Sequence, residues 1–245
     1  MKTKLLLLLL LASFSIHAQQ YTSIPDVNFE NKLISLGIDS GTPDGRVLTS
    51  NVASIVYLYV DTSSITDLTG IEDFISLKEL KCSSNRLTQL NLSKNRALTS
   101  LECSNNLLTA LDISNNPLLL KLDCSQNKLT ALDFSNNTAL KTIYCSSNQL
   151  TALNVSKQLM LEQFFCYTNK IEILDLSSNV NLSGLACHTN LLKNLDLSKN
   201  TKVHYVQAHN NPLISFNIQN GTNYLFDASL STLTFNSPNL KCVQV

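Results

Sequence analysis

From residue 77 onward the chain alternates segments of ten and eleven residues, each opening with an apolar-x-apolar pair and closing through a Ser-x-Asn turn. LKCSSNRLTQ is followed by LNLSKNRALTS, and LECSNNLLTA by LDISNNPLLLK. A two-residue apolar alternation marks a strand with one face buried. Ser and Asn favour the turns between such strands because their side chains bond to nearby backbone. One short segment and the longer one after it make a single repeating unit. The pattern predicts a solenoid in which each coil carries two short parallel strands on opposite sides, with turns between them.

The cysteines fix the register. Cys82, Cys103, Cys124, Cys145, Cys166 and Cys187 recur at one constant interval, the length of that unit. Ala208 continues the series in step, and Ala228 follows one position short. Two positions before the cysteines stand Leu80, Leu101, Leu122, Ile143, Phe164 and Leu185. Three positions after them, and after Ala208, stand Asn85, Asn106, Asn127, Asn148, Asn169, Asn190 and Asn211. A buried turn leaves backbone N–H and C=O groups unpaired, and an Asn amide offers both donors and an acceptor. The Asn series therefore predicts a structural ladder that joins each coil to its neighbour.

The unit LxxLxCSxNxLTxLDLSxNxx resembles a leucine-rich repeat, specifically the nested bacterial type with this period, over roughly residues 77 to 236. Upstream, ITDLTGIEDFISLKEL resembles an internalin-style repeat and would form the first coil. The segment from Ile24 to Val56 is similar to the cap that precedes such arrays in secreted proteins of Bacteroidetes-type bacteria. The resemblance implies an α/β, β-rich repeat solenoid: a curved right-handed superhelix with short parallel strands on both faces and a small N-terminal helical cap. It also implies recognition rather than catalysis. Relatives of this kind continue past a motif like NLKCVQV into a sorting domain, which this sequence does not show after Val245. A short form and a chain that continues are both compatible with that.

Capping follows from physics as well, since a solenoid exposes its core at both ends. Pro25-Asp26 predicts a helix start running to about Gly37 with Phe29, Leu33 and Leu36 on one face. DSGTPDGR over 39–46 reads as a turn. At the very N terminus, Lys2 and Lys4 precede the apolar run Leu5–Leu11, and small residues lead to Ala18. That is the grammar of a secretory signal, too short to span a bilayer. The expected division is a signal peptide over 1–18, a cap over 19–54, the solenoid over 55–236 and a short or incomplete C-terminal cap over 237–245. The protein is then expected outside the cytoplasm, secreted or on the outer cell surface, with no membrane insertion after signal cleavage, and as a monomer.

Composition narrows the function. The 245 residues carry 18 Lys+Arg against 18 Asp+Glu, four His and no Trp. Balanced charge gives no footprint for nucleic acid. No HExxH or nucleophile-elbow context is present, so the chain reads as a non-enzyme without cofactor. The six register cysteines share the buried strand face, and a free core ladder is favoured over disulfides because parallel neighbours make the torsion awkward. Their spacing is not that of a zinc site, and no metal is expected. Cys242 lies outside the register. Asp112, Asp133, Asp175 and Asp196, with Asn91, Asn154 and Asn217 among them, read as a solvated row. Stacked oxygens alone do not supply a six-ligand calcium cage.

The variable outward positions of the first strand carry the candidate chemistry. Before the register they run Lys81, Glu102, Asp123, Tyr144, Phe165, Ala186 and Gln207; after it, Ser83, Ser104, Ser125, Ser146, Tyr167, His188 and His209. With Tyr205, the later coils present Tyr144, Phe165, Tyr167, His188, Tyr205 and His209 on the concave face. Exposed aromatics on adjacent coils suit recognition anchors for a protein or a glycan. Drift on a strand that accepts aromatics, and packing against a further segment, are the competing readings. At the level of the whole molecule, the alternatives to recognition are a structural or adhesive spacer and, least favoured, an enzyme.

Overall fold

The computed structural model describes residues 19–221 and 242–244. The signal reading over 1–18, Ala228 and most of the C-terminal cap lie outside the described residues. The N-terminal unit pairs β1 (Tyr21–Ser23) antiparallel with β2 (Arg46–Leu48) and contains α1 (Val27–Ser35) and α2 (Thr49–Ala53). Asp26 caps α1, its carboxylate accepting the backbone N–H groups of Asn28 and Phe29, as first-turn donors require. Phe29 and Leu33 are fully buried as the pattern predicted, but Leu36 is exposed. It stands at the C-cap, past the last helical turn, and the acid Glu30 is buried instead. Glu30 accepts the backbone N–H groups of Asp44 and Gly45, so its carboxylate holds the 39–46 turn against the helix.

The coils follow. β3 (Tyr57–Tyr59), β4 (Glu79–Lys81), β5 (Ser100–Glu102), β6 (Lys121–Asp123), β7 (Thr142–Tyr144), β8 (Gln163–Phe165), β9 (Gly184–Ala186) and β11 (Tyr205–Gln207) form one parallel sheet of eight strands in sequence order. A 3-10 turn, Ile71–Asp73, closes the first coil. The central residue of every strand is buried. Cys82 through Cys187 and Ala208 follow as a second fully buried row. The architecture is a leucine-rich-repeat solenoid with one continuous core.

On the second side, strand pairing is confined among the described residues to β10 (Asn194–Asp196), β12 (Ser215–Asn217) and β13 (Cys242–Gln244). In earlier coils the corresponding runs bury Leu111, Ile113, Leu153 and Val155 without forming strands. Their inter-coil bonds run through a second amide row. The side chains of Asn95, Asn116, Asn137, Gln158, Asn179 and Asn200 each donate to two carbonyls of the preceding coil. The amide reaches between coils where backbone does not.

The concave-side Asn row is more fully engaged. Asn127 Nδ2 donates to the carbonyls of Cys103 and Cys124, both at 3.1 Å, and its Oδ1 accepts the Leu108 N–H at 3.0 Å. The same offsets recur at Asn106, Asn148, Asn169, Asn190 and Asn211. Just before Asn85 and each of these Asn residues the backbone turns left-handed: Ser84, Asn105, Gln126, Ser147, Thr168, Thr189 and Asn210 have φ between 52° and 57°. That conformation costs a β-branched residue about 1–2 kcal/mol and Asn much less. Thr168→Asn is therefore expected to stabilise the fold by about 0.5–1 kcal/mol, read as a higher midpoint in urea. An unchanged or lower midpoint would show that this turn stores no strain.

Candidate recognition surface

The outward residues of the eight-stranded sheet form three zones. At its N-terminal edge Tyr57 and Tyr59 are 62% and 45% exposed, with Lys81 Nζ 5.1 Å from the Tyr59 ring centroid. Sequence reasoning missed this pair because β3 precedes the cysteine register. It aligns with Glu79 and Lys81 of β4 only once the first coil is allowed to be one position longer than the rest. The middle zone is charged and hydroxylated. Lys121 Nζ bonds Glu102 at 2.7 Å, Lys81 lies between Glu79 and Glu102, and Ser hydroxyls pair across coils at 83/104 and 125/146.

The third zone gathers the six residues singled out from the sequence, and it does so in two rows. Tyr144 stacks on Phe165 with centroids 4.9 Å apart, and Tyr205 lies 6.0 Å from Phe165 in a tilted arrangement. Tyr167, His188 and His209 form the other row, at 4.5 Å and 4.3 Å with nearly parallel planes. One aromatic per coil at the strand spacing of about 4.8 Å makes offset stacking the natural packing. β9 breaks the first row, since Gly184 and Ala186 bring no ring and both are buried. A side chain at Gly184 would meet Gln163, whose amide reaches across to Ser183. This gap lets Tyr205 tilt toward Phe165.

All six side chains remain partly or largely open to solvent. Burial, with the facing His209 ring second, holds the His188 pKa below its ordinary value of 6.5, so the middle ring of that row is neutral at pH 7. A depression of about 190 Å³ opens beside both rows, lined by Ser104, Asp123, Ser125, Gln126, Tyr144, Ser146, Phe165 and Tyr167. His204 lies apart, exposed beside the Lys202 carbonyl.

The cysteines stay under this surface. Burial raises all six thiol pKa values, with neighbouring charges secondary where they contribute, and Cys187 is pushed up to about 12. Thiolate is the reactive form. The six thiols, all free in the structure, are thus expected to resist iodoacetamide at pH 8 in the native protein. All six are expected to alkylate in denaturant together with Cys242, giving seven adducts by intact mass. Six that stay unmodified after unfolding without reductant would mean disulfides.

The aspartate row is not a free set of ligands. Asp112, Asp133, Asp175 and Asp196 each accept the backbone N–H two residues on, and Asn91, Asn154 and Asn217 do the same. These are Asx turns, for which acid and amide serve equally, and that explains their interchange. Among the described residues no cluster of three His, Cys, Asp or Glu could hold a metal ion. No helix there is long and apolar enough to cross a membrane.

No protein-family model and no curated protein matches the chain. Solved structures do. The functional domain of InlJ from Listeria monocytogenes, which includes a cysteine ladder, is similar with a TM-score of 0.64 at 30% identity, over 92% of this chain and 61% of that one. Internalin C2 of the same organism gives 0.70 at 21% identity, over 91% and 96%. A leucine-rich-repeat protein of Leptospira interrogans, LIC12759, gives 0.56 at 23%, over 66% and 43%. The chain thus spans less than two thirds of the first and third of these structures, and the shared fold is an internalin-like leucine-rich-repeat solenoid.

Proposed function

We propose that the chain is a non-catalytic recognition protein, secreted or held at the cell surface, that binds a protein or a glycan through the concave face of its later coils. The observation that carries this reading is the pair of solvent-facing aromatic rows, Tyr144–Phe165–Tyr205 and Tyr167–His188–His209. Six rings on four adjacent coils form preordered anchors, because stacking already limits their rotamers and little entropy is lost on binding. The similarity to internalin structures supports an interaction role, although fold alone does not settle function. Export rests on the signal-like segment at residues 1–18.

The test screens the purified protein against protein and glycan arrays beside a variant with Tyr144, Phe165, Tyr167 and Tyr205 changed to Ser. Matching circular dichroism and melting come first. A ligand bound by the parent and at least about tenfold weaker in the variant is the expected result. Equal binding in both, or none in either, overturns the site and favours a spacer.

A further inference from the structure

The geometry points to a neutral pyranose ring as the ligand, seated against the open face of Tyr144 and hydrogen-bonded by Asp123; this inference rests on the recognition reading above. Rings in the two rows stand face to face along the solenoid axis, with planes within 21° for Tyr144–Phe165, 12° for Tyr167–His188 and 8° for His188–His209. Phe165 and His188 are thus engaged by rings on both sides. The first ring of each row has a ring on one side only. Those first rings are Tyr144 and Tyr167, and both line the same depression of about 190 Å³. The register partner of Tyr144 on the preceding strand is Asp123, and no ring stands there. A ligand ring placed over Asp123 continues the Tyr144 stack by one step.

The rest of the depression says what the ring must carry at its rim. Asp123 Oδ1 accepts the Ser125 N–H at 3.0 Å, which orients the carboxylate. The nearby lysines pair with Glu102 rather than with Asp123. Ser104, Ser125 and Gln126 add hydroxyl and amide groups. The site therefore offers one aromatic face, one carboxylate acceptor and several groups that both donate and accept. A pyranose matches all of it, with a flat face of C–H bonds and a rim of hydroxyls. A Phe side chain would stack but would bring no donor to the remaining Asp123 oxygen, and a Tyr side chain would bring one donor at most. A guanidinium would satisfy Asp123 yet brings donors alone, which leaves the donor capacity of the Ser hydroxyls and the Gln126 amide unused. An anionic sugar meets Asp123 as a like charge. The volume is below the roughly 300 Å³ of drug-sized sites, so it suits one sugar ring of a longer chain.

Calorimetric titration of the purified protein tests this with four neutral probes: tetra-N-acetylchitotetraose, cellotetraose, mannotetraose and galactotetraose. Sialyllactose and tri-arginine peptide serve as the charged comparisons. At least one neutral probe is expected to bind, with neither charged probe competing. Tyr144→Ala is expected to weaken it about tenfold and Asp123→Asn about fivefold, while Tyr144→Phe keeps the ring and most of the affinity. Asp123→Asn preserves shape, so it remains decisive if Tyr144→Ala disturbs folding. The inference is overturned if no neutral probe binds, if binding survives both substitutions unchanged, or if tri-arginine binds in their place. If the neutral probes fail but a protein ligand is lost in the four-residue Ser variant, recognition by this face stands and the pyranose does not.

Discussion

Replacing Asn127 by Ala is expected to destabilise the protein by about 4 kcal/mol, against about 2 kcal/mol for Asn116→Ala in the same region. The two residues occupy equivalent turns on opposite sides of the solenoid, and both are buried. Asn127 joins two donations to carbonyls with one acceptance, from Leu108 N–H. Asn116 donates to the carbonyls of Leu92 and Asn95, but its Oδ1 has no hydrogen-bond partner. Removing Asn127 orphans the buried Leu108 N–H, at about 1–3 kcal/mol, and takes one bond each from Cys103 O and Cys124 O, which keep those from Asn106 and Asn148, at about 1 kcal/mol apiece. Removing Asn116 orphans no group, since Leu92 O and Asn95 O keep the backbone N–H groups of Asn95 and Leu98, and it takes away an amide oxygen that was itself unsatisfied. A loss of that size is a large part of the roughly 5–15 kcal/mol that holds a typical domain together. In a solenoid the damage is central, because each coil is held only by its neighbours. Urea unfolding followed by circular dichroism measures both variants. Equal losses would mean that the acceptance from Leu108 contributes nothing.

The second large effect is expected at Asp26. Its Oδ1 caps α1, while its Oδ2 accepts the Thr66 hydroxyl at 2.6 Å and the backbone N–H groups of Thr66 and Asp67 at 2.7 and 3.0 Å. One carboxylate thus fastens the helix to the first coil. Asp26→Ala is expected to cost about 3 kcal/mol, combining a lost helix cap with charge-assisted bonds at a buried site. Burial alone would raise its pKa. The bonds from the Thr66 hydroxyl, then the backbone of Thr66, Phe29 and Asp67, outweigh burial and hold the carboxyl below its ordinary value of 3.8. A depressed folded pKa means that the unfolded chain takes up the proton more readily. The stabilisation is therefore complete above the ordinary aspartate range and is lost as pH falls below 3.8 through the folded value. Thermal melts from pH 6 to pH 2 should show parent and Asp26→Ala converging at the acid end. Parallel curves would rule this carboxylate out as a source of acid sensitivity.

What the sequence revealed and what it hid divide along physical lines. The cysteine row, the central strand residues and the concave Asn row were legible because burial at a fixed period leaves few residue types that fit. The second amide row was harder to see, since Gln158 interrupts its Asn series and the turn around it varies from Pro117 to Met160. The Asp/Asn interchange was visible, but its cause needed the backbone N–H that each side chain accepts. Leu36 is exposed where the pattern placed it inside, and Glu30 is buried, because helix periodicity cannot register where the helix stops or that a turn needs an acceptor. For the candidate site, the sequence gathered the aromatics on one face. The break at Gly184 and Ala186, which lets Tyr205 reach Phe165, and the depression next to Tyr144 depend on ring orientation, which no spacing rule supplies.

The constancy of the ladder offsets makes the array a ruler. Asn127 bonds 24 residues back and accepts from 19 residues back, and Asn148 and Asn169 do the same. Duplicating or deleting one whole period preserves every offset, whereas another length change must be absorbed within its own coil, as in the first coil, where Asn85 bonds 25 residues back and accepts from 20 back. Lineages can therefore alter the separation between Tyr57–Tyr59 and Tyr144 in steps of about 4.8 Å without redesigning either patch. Reach along a partner becomes a quantity set by copy number, independent of the chemistry at each end.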